Sequence, residues 1–169
     1  VGGTTGEQIY NYLISQGLTD AGAAGLIGNL SAESGLVPTR LQGDFSSGYT
    51  TSANYTNQVD SGAISRSQFV HNGPGGGGYG LAQWTYYTRK EKLYDFAKQK
   101  STSIGDLGMQ LEFLMYELSN SFPGVLGVLR TSNDLTACTR IVLYDFEAPA
   151  SPNLSARVNL ARPYYRGTW

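Results

Sequence analysis

The sequence has a single cysteine, Cys138, and a single histidine, His71, among its 169 residues. One cysteine excludes an internal disulfide, and one residue of each type argues against a structural zinc site. Leu135 and Val142 flank Cys138 at helical spacing, which predicts a buried and unreactive thiol rather than a nucleophile. The sequence therefore predicts no metal and no other cofactor.

Charge is also scarce and balanced. Lys and Arg number 12 and Asp and Glu number 13, so the formal net charge is −1. This balance provides no basic face for nucleic acid or for an anionic membrane surface. No apolar run reaches the roughly 18 residues of a membrane span, so we expect no membrane insertion. The chain begins at Val1 rather than Met, and we expect it to be part of a longer protein or a processed product.

Glycine, tyrosine and helical patterning are what the sequence does contain, with 22 Gly and 12 Tyr. A tyrosine ring can pack on a sugar face while its hydroxyl stays in water. Tyrosine is equally common as an ordinary core or surface residue, so the count alone does not decide. Apolar residues spaced by three and four predict helices over Thr5–Gln16, from Thr19 to Gly35, over Arg89–Gln99, from Asp106 to Ser119, over Pro123–Arg130 and Asp134–Phe146, and from Asn153 or Ser155 to Pro163.

The stretch from Leu36 to Gly78 lacks this periodicity and is rich in Ser, Thr, Asn, Gly and Tyr. We expect a small irregular or β insert there, with short strands near Tyr49–Tyr55 and Gln68–Val70. A segment of this length inside a compact domain is usually functional. The resulting prediction is a mainly α (α+β) fold over 1–169 in a single domain, in which Gly25 and Gly28 make the second helix thin enough for close helix packing.

Glu33 stands at the end of this second predicted helix, after an apolar run. Hydrolysis of a glycosidic bond needs a carboxylic acid that still holds its proton near neutral pH. An apolar environment and a helix C-terminus both disfavour the charged form of a carboxyl group. The placement suits a general acid, although a solvated Glu at a helix end would have the same position.

The segment YGLAQWT, Tyr79–Thr85, has the composition of a sugar-binding surface. Gln83 offers both a donor and an acceptor, as sugar hydroxyl and N-acetyl groups require. Tyr79 and Trp84 offer rings, and Gly80 lets the backbone approach a ligand. A strand or turn buried beneath helices would have a similar composition, so both interpretations stay open.

Two blocks, GLIGNLSAESGL at Gly25–Leu36 and GYGLAQWT at Gly78–Thr85, together resemble the phage tail lysozyme family. This family is similar to the glycosidase domains of phage tail-tip and conjugation-associated wall hydrolases. A third block, YDFEAPASP at Tyr144–Pro152, resembles the Tyr-Glu-Arg-Pro-Ala element near the end of such domains. The resemblance extends from about Thr5 to Tyr165 and implies the lysozyme-like superfold, in which the acid Glu ends a helix and lines a cleft.

The resemblance implies roles for individual residues. Glu33 corresponds to the catalytic acid, and the cleft segment that faces it supplies Tyr79, Gln83 and Trp84 to the substrate. Glu147 corresponds to a Glu of the late block.

Glu147 either contacts substrate or is structural, paired with an arginine such as Arg157 or Arg162. Two departures from the family pattern concern the C-terminal third of the chain. Ala148 replaces the usual Arg of the late block, and Pro163 interrupts the last helix. Neither departure touches Glu33.

Asp44 and Asp60 are the candidates for a second catalytic carboxylate. Inverting and retaining glycosidases place such a group opposite the acid. Both residues also fit ordinary turns, where Asp is common. A mechanism with Glu33 alone, in which a substrate hydroxyl attacks and leaves an anhydro sugar as in lytic transglycosylases, stays open.

The function predicted from these residues is that of a muramidase, which cleaves the β-1,4 bond between N-acetylmuramic acid and N-acetylglucosamine. The alternatives are a lytic transglycosylase on the same bond and a non-catalytic wall-binding module. The predicted partner is the glycan strand of peptidoglycan, at the bacterial cell wall outside the cytoplasm. The family context also implies a peptidase domain elsewhere in the parent chain.

Overall fold

A computed structural model describes residues 4–42, 52–73 and 77–167. The mainly α prediction is confirmed, because the structure is 66% helical with almost no strands. Two compact units are present. The terminal unit comprises the described residues of Val1–Leu36 and Met115–Trp169, and the middle unit comprises those of Val37–Leu114. A single functional domain over 1–169 stays a prediction.

The described residues form nine α-helices. They are α1 Thr5–Ser15, α2 Asp20–Ser34, α3 Ser52–Ser61, α4 Arg66–Val70, α5 Tyr87–Gln99, α6 Leu107–Asn120, α7 Pro123–Thr131, α8 Leu135–Ile141 and α9 Leu154–Ala161. A π-helical segment, Val142–Glu147, continues α8, and a 3-10 turn, Arg162–Tyr164, continues α9. Helix α6 contributes residues to both units. Within the described ranges, no helix is long and apolar enough to cross a membrane.

Helix α2 is the centre of the terminal unit. Every residue from Ala21 to Leu30 is buried, and α1, α7, α8 and α9 all pack against the helix. A helix that is buried on all faces needs neighbours on all faces. A Cβ atom at Gly22 would lie 2.0 Å from the carbonyl oxygen of Leu129, and one at Gly28 would lie 2.4 Å from that of Arg157. The prediction of a thin second helix is therefore confirmed.

We expect Gly22→Ala to destabilise the fold by about 3 kcal/mol, the upper end of the usual overpacking cost, because its methyl group would meet backbone rather than a movable side chain. Gly127→Ala in α7 is the matched control, since a Cβ atom there meets nothing within 4 Å. It should stabilise the helix by about 0.5–1 kcal/mol. Urea unfolding of the two variants measures both effects, and equal stability of the two would contradict this packing.

The insert of the middle unit is helical where it is described. In α3, Tyr55 and Val59 are fully buried one turn apart. Ser65 opens α4 with a capping box, in which the side chains of Ser65 and Gln68 each accept from the other's backbone N–H. The two short strands predicted in this stretch are therefore wrong as far as the described residues extend. The β structure described consists of isolated bridges, Leu41 to Tyr79 and Tyr79 to Trp84.

The helix ends follow local chemistry closely. Thr4 caps α1 through a capping box with Glu7, and the helix begins at Thr5 as predicted. Asn153 caps α9, and the helix gives way to the 3-10 turn that contains Pro163, as predicted. Proline cannot donate the backbone hydrogen bond that a longer helix would need.

Candidate active site

Glu33 lies in the last turn of α2, next to the final helical residue Ser34. Gly35 follows in the left-handed conformation with φ 64°, and its N–H donates to the carbonyl of Ser31 at 2.8 Å. This is a common way to end a helix with glycine. The side chain of Glu33 is 18% exposed, so its carboxylate is largely enclosed but still reachable by a ligand.

Arg157 of α9 binds this carboxylate directly. Its Nη2 atom donates to Oε2 of Glu33 at 2.7 Å, and its Nη1 atom donates to Oδ1 of Asn29 at 3.0 Å. The Arg157 side chain is 8% exposed. Because the guanidinium is planar, hydrogen bonds from two of its nitrogens fix its plane as well as its position.

Asn29 anchors the arginine to the backbone of the terminal unit. It is fully buried on α2, one turn before Glu33. Its Nδ2 atom donates to the carbonyls of Gly25 and Thr139, each at 3.0 Å. A continuous chain of hydrogen bonds therefore connects the helix backbone through Asn29 and Arg157 to the carboxylate, and a connected chain of this kind holds the carboxylate in one orientation.

The segment predicted to bind sugar forms a tight hairpin in the middle unit. Tyr79 and Trp84 exchange backbone hydrogen bonds of 3.0 Å in both directions. The turn between them requires left-handed conformations at Gly80 and Gln83, with φ 83° and 52°. Such a φ is uncommon for a residue other than glycine.

The rings of this hairpin are core residues of the middle unit. Tyr79 and Trp84 are both fully buried. Tyr79 packs edge-on against Phe69 at 5.7 Å between centroids, and Trp84 packs edge-on against Phe113 at 5.4 Å. Burial raises the pKa of the Tyr79 phenol, whose oxygen shares a hydrogen bond with Thr56. The sequence left open whether these rings line a sugar-binding surface or belong to the core. The structure shows that Tyr79 and Trp84 belong to the core.

Gln83 is half-buried at the edge of the same hairpin. Its Nε2 atom donates to the carbonyls of Arg40 and Gly80, each at 3.0 Å. These bonds connect the hairpin to the preceding chain. A direct contact of Gln83 with substrate stays a prediction.

A profile of the phage tail lysozyme family matches residues 4–167. The chain belongs to the phage tail lysozyme family. Morphogenesis protein 1 of Bacillus phage B103 is 25% identical to it over 167 residues, which cover 95% of this chain and 38% of that protein. The chain therefore spans less than half the length of this relative. The family suspected from the sequence blocks is confirmed, and this phage tail lysozyme chain is a lysozyme-like domain.

Glu147 is half-buried and ends the π-helical segment that continues α8. Its pairing with an arginine such as Arg157 or Arg162 stays a prediction. Arg157 is bound to Glu33, and the Nε atom of Arg162 donates to Asn159 at 3.3 Å. Arg157 lies on α9, and Arg162 begins the 3-10 turn that follows it. A role of Glu147 in substrate binding stays a prediction.

Asp60 has its carboxylate engaged within the middle unit. One oxygen accepts from the hydroxyl of Ser103, and the other accepts from the backbone N–H of Ile104 at 3.0 Å. These contacts join the end of α3 to the loop before α6, and they favour a structural role over that of a base. Asp44, the other candidate, lies outside the described residues, and its role stays a prediction.

Asp60→Asn should therefore lower stability by about 1–2 kcal/mol, because hydrogen bonds to a charged acceptor contribute roughly that much. Turnover per folded molecule should stay within a few-fold of wild type. Ser103→Ala is the matched control, since it removes a partner of the carboxylate and keeps the carboxylate itself. Both variants should lose stability in urea; a tenfold loss of turnover in Asp60→Asn alone, at unchanged stability, would restore Asp60 as the base.

Lys90 is a fully buried lysine in α5 of the middle unit. Its Nζ atom donates to Oδ1 of Asn72 and to the carbonyl of Gly77, each at 2.9 Å, and lies 4.3 Å from the ring centroid of Phe69. Burial lowers the pKa of this lysine from 10.5 to about 7. The sequence analysis missed Lys90, because a lysine among polar helix residues looks like a solvated side chain.

The buried lysine makes stability depend on pH. Between about pH 7 and 10.5 the unfolded chain holds a proton on Lys90 that the folded chain has released, so stability should rise with pH there. Below pH 7 both states are protonated and the contribution is flat. Relative to Lys90→Met, wild type should gain up to about tenfold in its folding equilibrium constant per pH unit in this window. Parallel urea titrations at several pH values measure this, and two parallel profiles would contradict it.

Gln110 is a second residue that the sequence analysis missed. It is fully buried on α6, and its Oε1 atom accepts from the N–H of Leu81 at 2.9 Å. Its Nε2 atom donates to the carbonyls of Pro38 and Ile104 at 2.7 and 2.8 Å. One amide thus connects three loops, and a polar residue within an apolar helical pattern is the signal that could have revealed it.

Cys138 is fully buried, as predicted, and burial raises the pKa of its thiol. Its Sγ atom faces the carbonyl of Ser132 at 3.9 Å. In the part of the chain that the structure describes, no three His, Cys, Asp or Glu side chains gather where they could hold a metal ion.

Proposed function

We propose that this phage tail lysozyme domain cleaves the β-1,4 bond between N-acetylmuramic acid and N-acetylglucosamine in peptidoglycan, with Glu33 as the general acid. The observation that carries the proposal is the position of Glu33 at the end of α2, where one of its oxygens accepts from Arg157 and Arg157 is in turn held by Asn29. The neighbour of Glu33 is thus a guanidinium group rather than the apolar surroundings expected from the sequence. Membership of the family supports the substrate class.

The first chemical step is protonation of the glycosidic oxygen. Oε2 of Glu33 accepts from Arg157, which leaves Oε1 to carry the proton and deliver it. As the C–O bond breaks, its electron pair stays with the protonated oxygen, and positive charge develops at the anomeric carbon. Glu33 becomes a carboxylate in the same step. The guanidinium at 2.7 Å stabilises that new charge without any rearrangement.

The second step completes either hydrolysis or transglycosylation. In a muramidase, water adds to the anomeric carbon and loses its proton to a base. In a lytic transglycosylase, a hydroxyl of the muramic acid residue adds instead, loses its proton to the Glu33 carboxylate formed in the first step, and closes an anhydro ring. The engagement of both Asp60 oxygens by Ser103 and Ile104 favours the transglycosylase as the second candidate. Asp44 is the base that we propose for hydrolysis.

Mass analysis of digested peptidoglycan, before and after borohydride reduction, tests the proposal. A muramidase releases fragments that end in a reducible N-acetylmuramic acid. A lytic transglycosylase releases fragments that are lighter by one water molecule and resist reduction. Reducible muramic acid ends are the expected result. Anhydro ends would decide for the second candidate, and glycan strands left intact but bound by the protein would support a wall-binding module instead.

The setting proposed for this activity is the bacterial cell wall, outside the cytoplasm, where the glycan strands lie. A peptidase domain elsewhere in the parent chain would cut the peptide cross-links of the same polymer. Its presence stays a prediction, which the full sequence of the parent protein tests.

A further inference from the structure

A pocket of about 500 Å³ opens on the middle unit, beside the end of the hairpin at Thr85. Its lining consists of Val70, His71, Asn72, Thr85, Tyr86 and Tyr87. Ligand pockets typically have volumes of about 300–1,000 Å³, so this one has room for a sugar unit but not for a protein surface. We call it the Tyr86–Tyr87 pocket.

Two tyrosines give the pocket its exposed aromatic surface. Tyr86 is 62% exposed and Tyr87 is 46% exposed. Their ring centroids are 4.9 Å apart, and His71 stacks on Tyr87 at 5.9 Å with an interplanar angle of 24°. Three rings are therefore adjacent at the surface. Contiguous exposed apolar surface of this kind commonly marks a binding site.

Asn72 and Thr85, two exposed residues of the lining, are held by hydrogen bonds from the rest of the unit. The Oδ1 atom of Asn72 accepts from the buried Lys90, and its Nδ2 atom donates to the carbonyl of Thr85 at 3.4 Å. The hydroxyl of Thr85 donates to the carbonyl of Gln83 at 2.9 Å. These bonds set the shape of the pocket before any ligand arrives. A pre-organised pocket binds with less loss of conformational freedom.

The chemistry of the lining selects a neutral ligand. Among the lining residues that the structure describes, none has a carboxylate, ammonium or guanidinium group, and the polar groups are those of His71, Asn72, Thr85 and the two tyrosines. A tyrosine ring packs against the apolar face of a sugar, while hydroxyl and amide groups at the rim form hydrogen bonds with its polar edge. N-acetylglucosamine is neutral and has both an apolar face and an acetamide. N-acetylmuramic acid carries an additional lactyl group, which is charged where no peptide is attached.

We propose that the Tyr86–Tyr87 pocket binds an N-acetylglucosamine unit of a glycan strand. This inference rests on the proposed function for its ligand, but it concerns binding in the middle unit and requires no catalysis. Its contribution is to hold the strand in the ground state and the transition state alike. Loss of the pocket should therefore raise KM and leave kcat nearly unchanged.

The test measures binding of short β-1,4-linked N-acetylglucosamine oligomers by calorimetry, in a Glu33→Gln background so that cleavage does not interfere. Tyr86→Ala combined with Tyr87→Ala should weaken binding by roughly tenfold or more, as the loss of aromatic packing predicts. Tyr116→Ala is the matched control, since Tyr116 is 48% exposed and lies outside the pocket lining. It should bind as the background protein does.

The two tyrosines can be replaced with little risk to the fold. Tyr86 precedes α5 and makes no side-chain capping hydrogen bond, and both tyrosines are exposed residues. Melting temperatures of all variants check this point, and Tyr87→Trp, which keeps an aromatic face, should retain binding. Unchanged affinity in the double variant, or no binding of the oligomers to the background protein, would contradict the proposal that the pocket binds N-acetylglucosamine.

The outcomes separate this inference from the proposed function. Suppose that wild type releases glycan fragments but the double tyrosine variant has an unchanged KM and affinity. The binding role proposed for the pocket is then wrong, and the proposed function stands. If oligomers bind at the pocket but wild type releases no fragments, the proposed function is wrong and the pocket stands as a wall-binding site.

Discussion

Glu33→Gln should lower the release of glycan fragments by about 10²–10⁴-fold, the usual contribution of general acid catalysis. The amide of glutamine cannot deliver a proton to the glycosidic oxygen. Its carbonyl oxygen can still accept from Arg157, which is why most of the local geometry should survive. Initial rates on purified walls, divided by the concentration of folded protein, measure the effect.

Glu112→Gln provides the matched control for this change. Glu112 also pairs with a cation, Lys100 at 2.6 Å, but its side chain is 47% exposed in the middle unit. Removing one charge from an exposed pair has little effect on stability, about 0–1 kcal/mol, and we expect no effect on turnover. Wild-type turnover in Glu33→Gln, at unchanged melting temperature, would remove Glu33 as the acid.

Arg157→Lys should lower turnover by about tenfold or more, which corresponds to about 1.4 kcal/mol in barrier height. Lysine keeps the positive charge but lacks the planar fork that reaches Asn29 and Glu33 together. The carboxylate would then lose its fixed orientation. Arg157→Met should also destabilise the fold by about 1–3 kcal/mol, because it removes the hydrogen bonds to Asn29 and Glu33 and leaves their largely buried acceptors unpaired.

A double-mutant comparison separates positioning from general stability. If Arg157 acts on turnover through Glu33, then Arg157→Lys should change the residual rate very little once Glu33 is already Gln. The melting temperature should fall in either background. Equal fractional losses of turnover in the two backgrounds would show that Arg157 acts by another route.

Local patterns in the sequence were sufficient for much of the terminal unit. The apolar run of α2, the Gly35 stop and the glycines that let neighbours approach are all local or periodic signals. They placed Glu33 correctly at a helix end. The partner of Glu33 could not be found in this way, because Arg157 lies on a helix 124 residues further along the chain. Only the packing of α9 against α2 brings the two together.

The middle unit was harder to predict, for a physical reason. Its insert is dominated by small polar residues, which are typical of turns. Only two positions in α3, Tyr55 and Val59, have the apolar spacing of an amphipathic helix, and two positions are too few to predict a helix. Aromatic residues were equally ambiguous. Tyr79 and Trp84 are buried, whereas Tyr86 and Tyr87, just beyond them in sequence, are exposed because α5 begins there. Composition alone does not distinguish a ring in the core from a ring at the surface.

The most direct test of the account is a count of new saccharide ends on glycan strands from which the stem peptides have been removed. Such a substrate contains no peptide bond to cut, so any new end reports cleavage of the glycan itself. The account predicts that wild type generates ends steadily and that Glu33→Gln, folded to the same melting temperature within a few degrees, generates at most about one hundredth as many. An absence of new ends with wild type, or equal numbers with the two proteins, would contradict it.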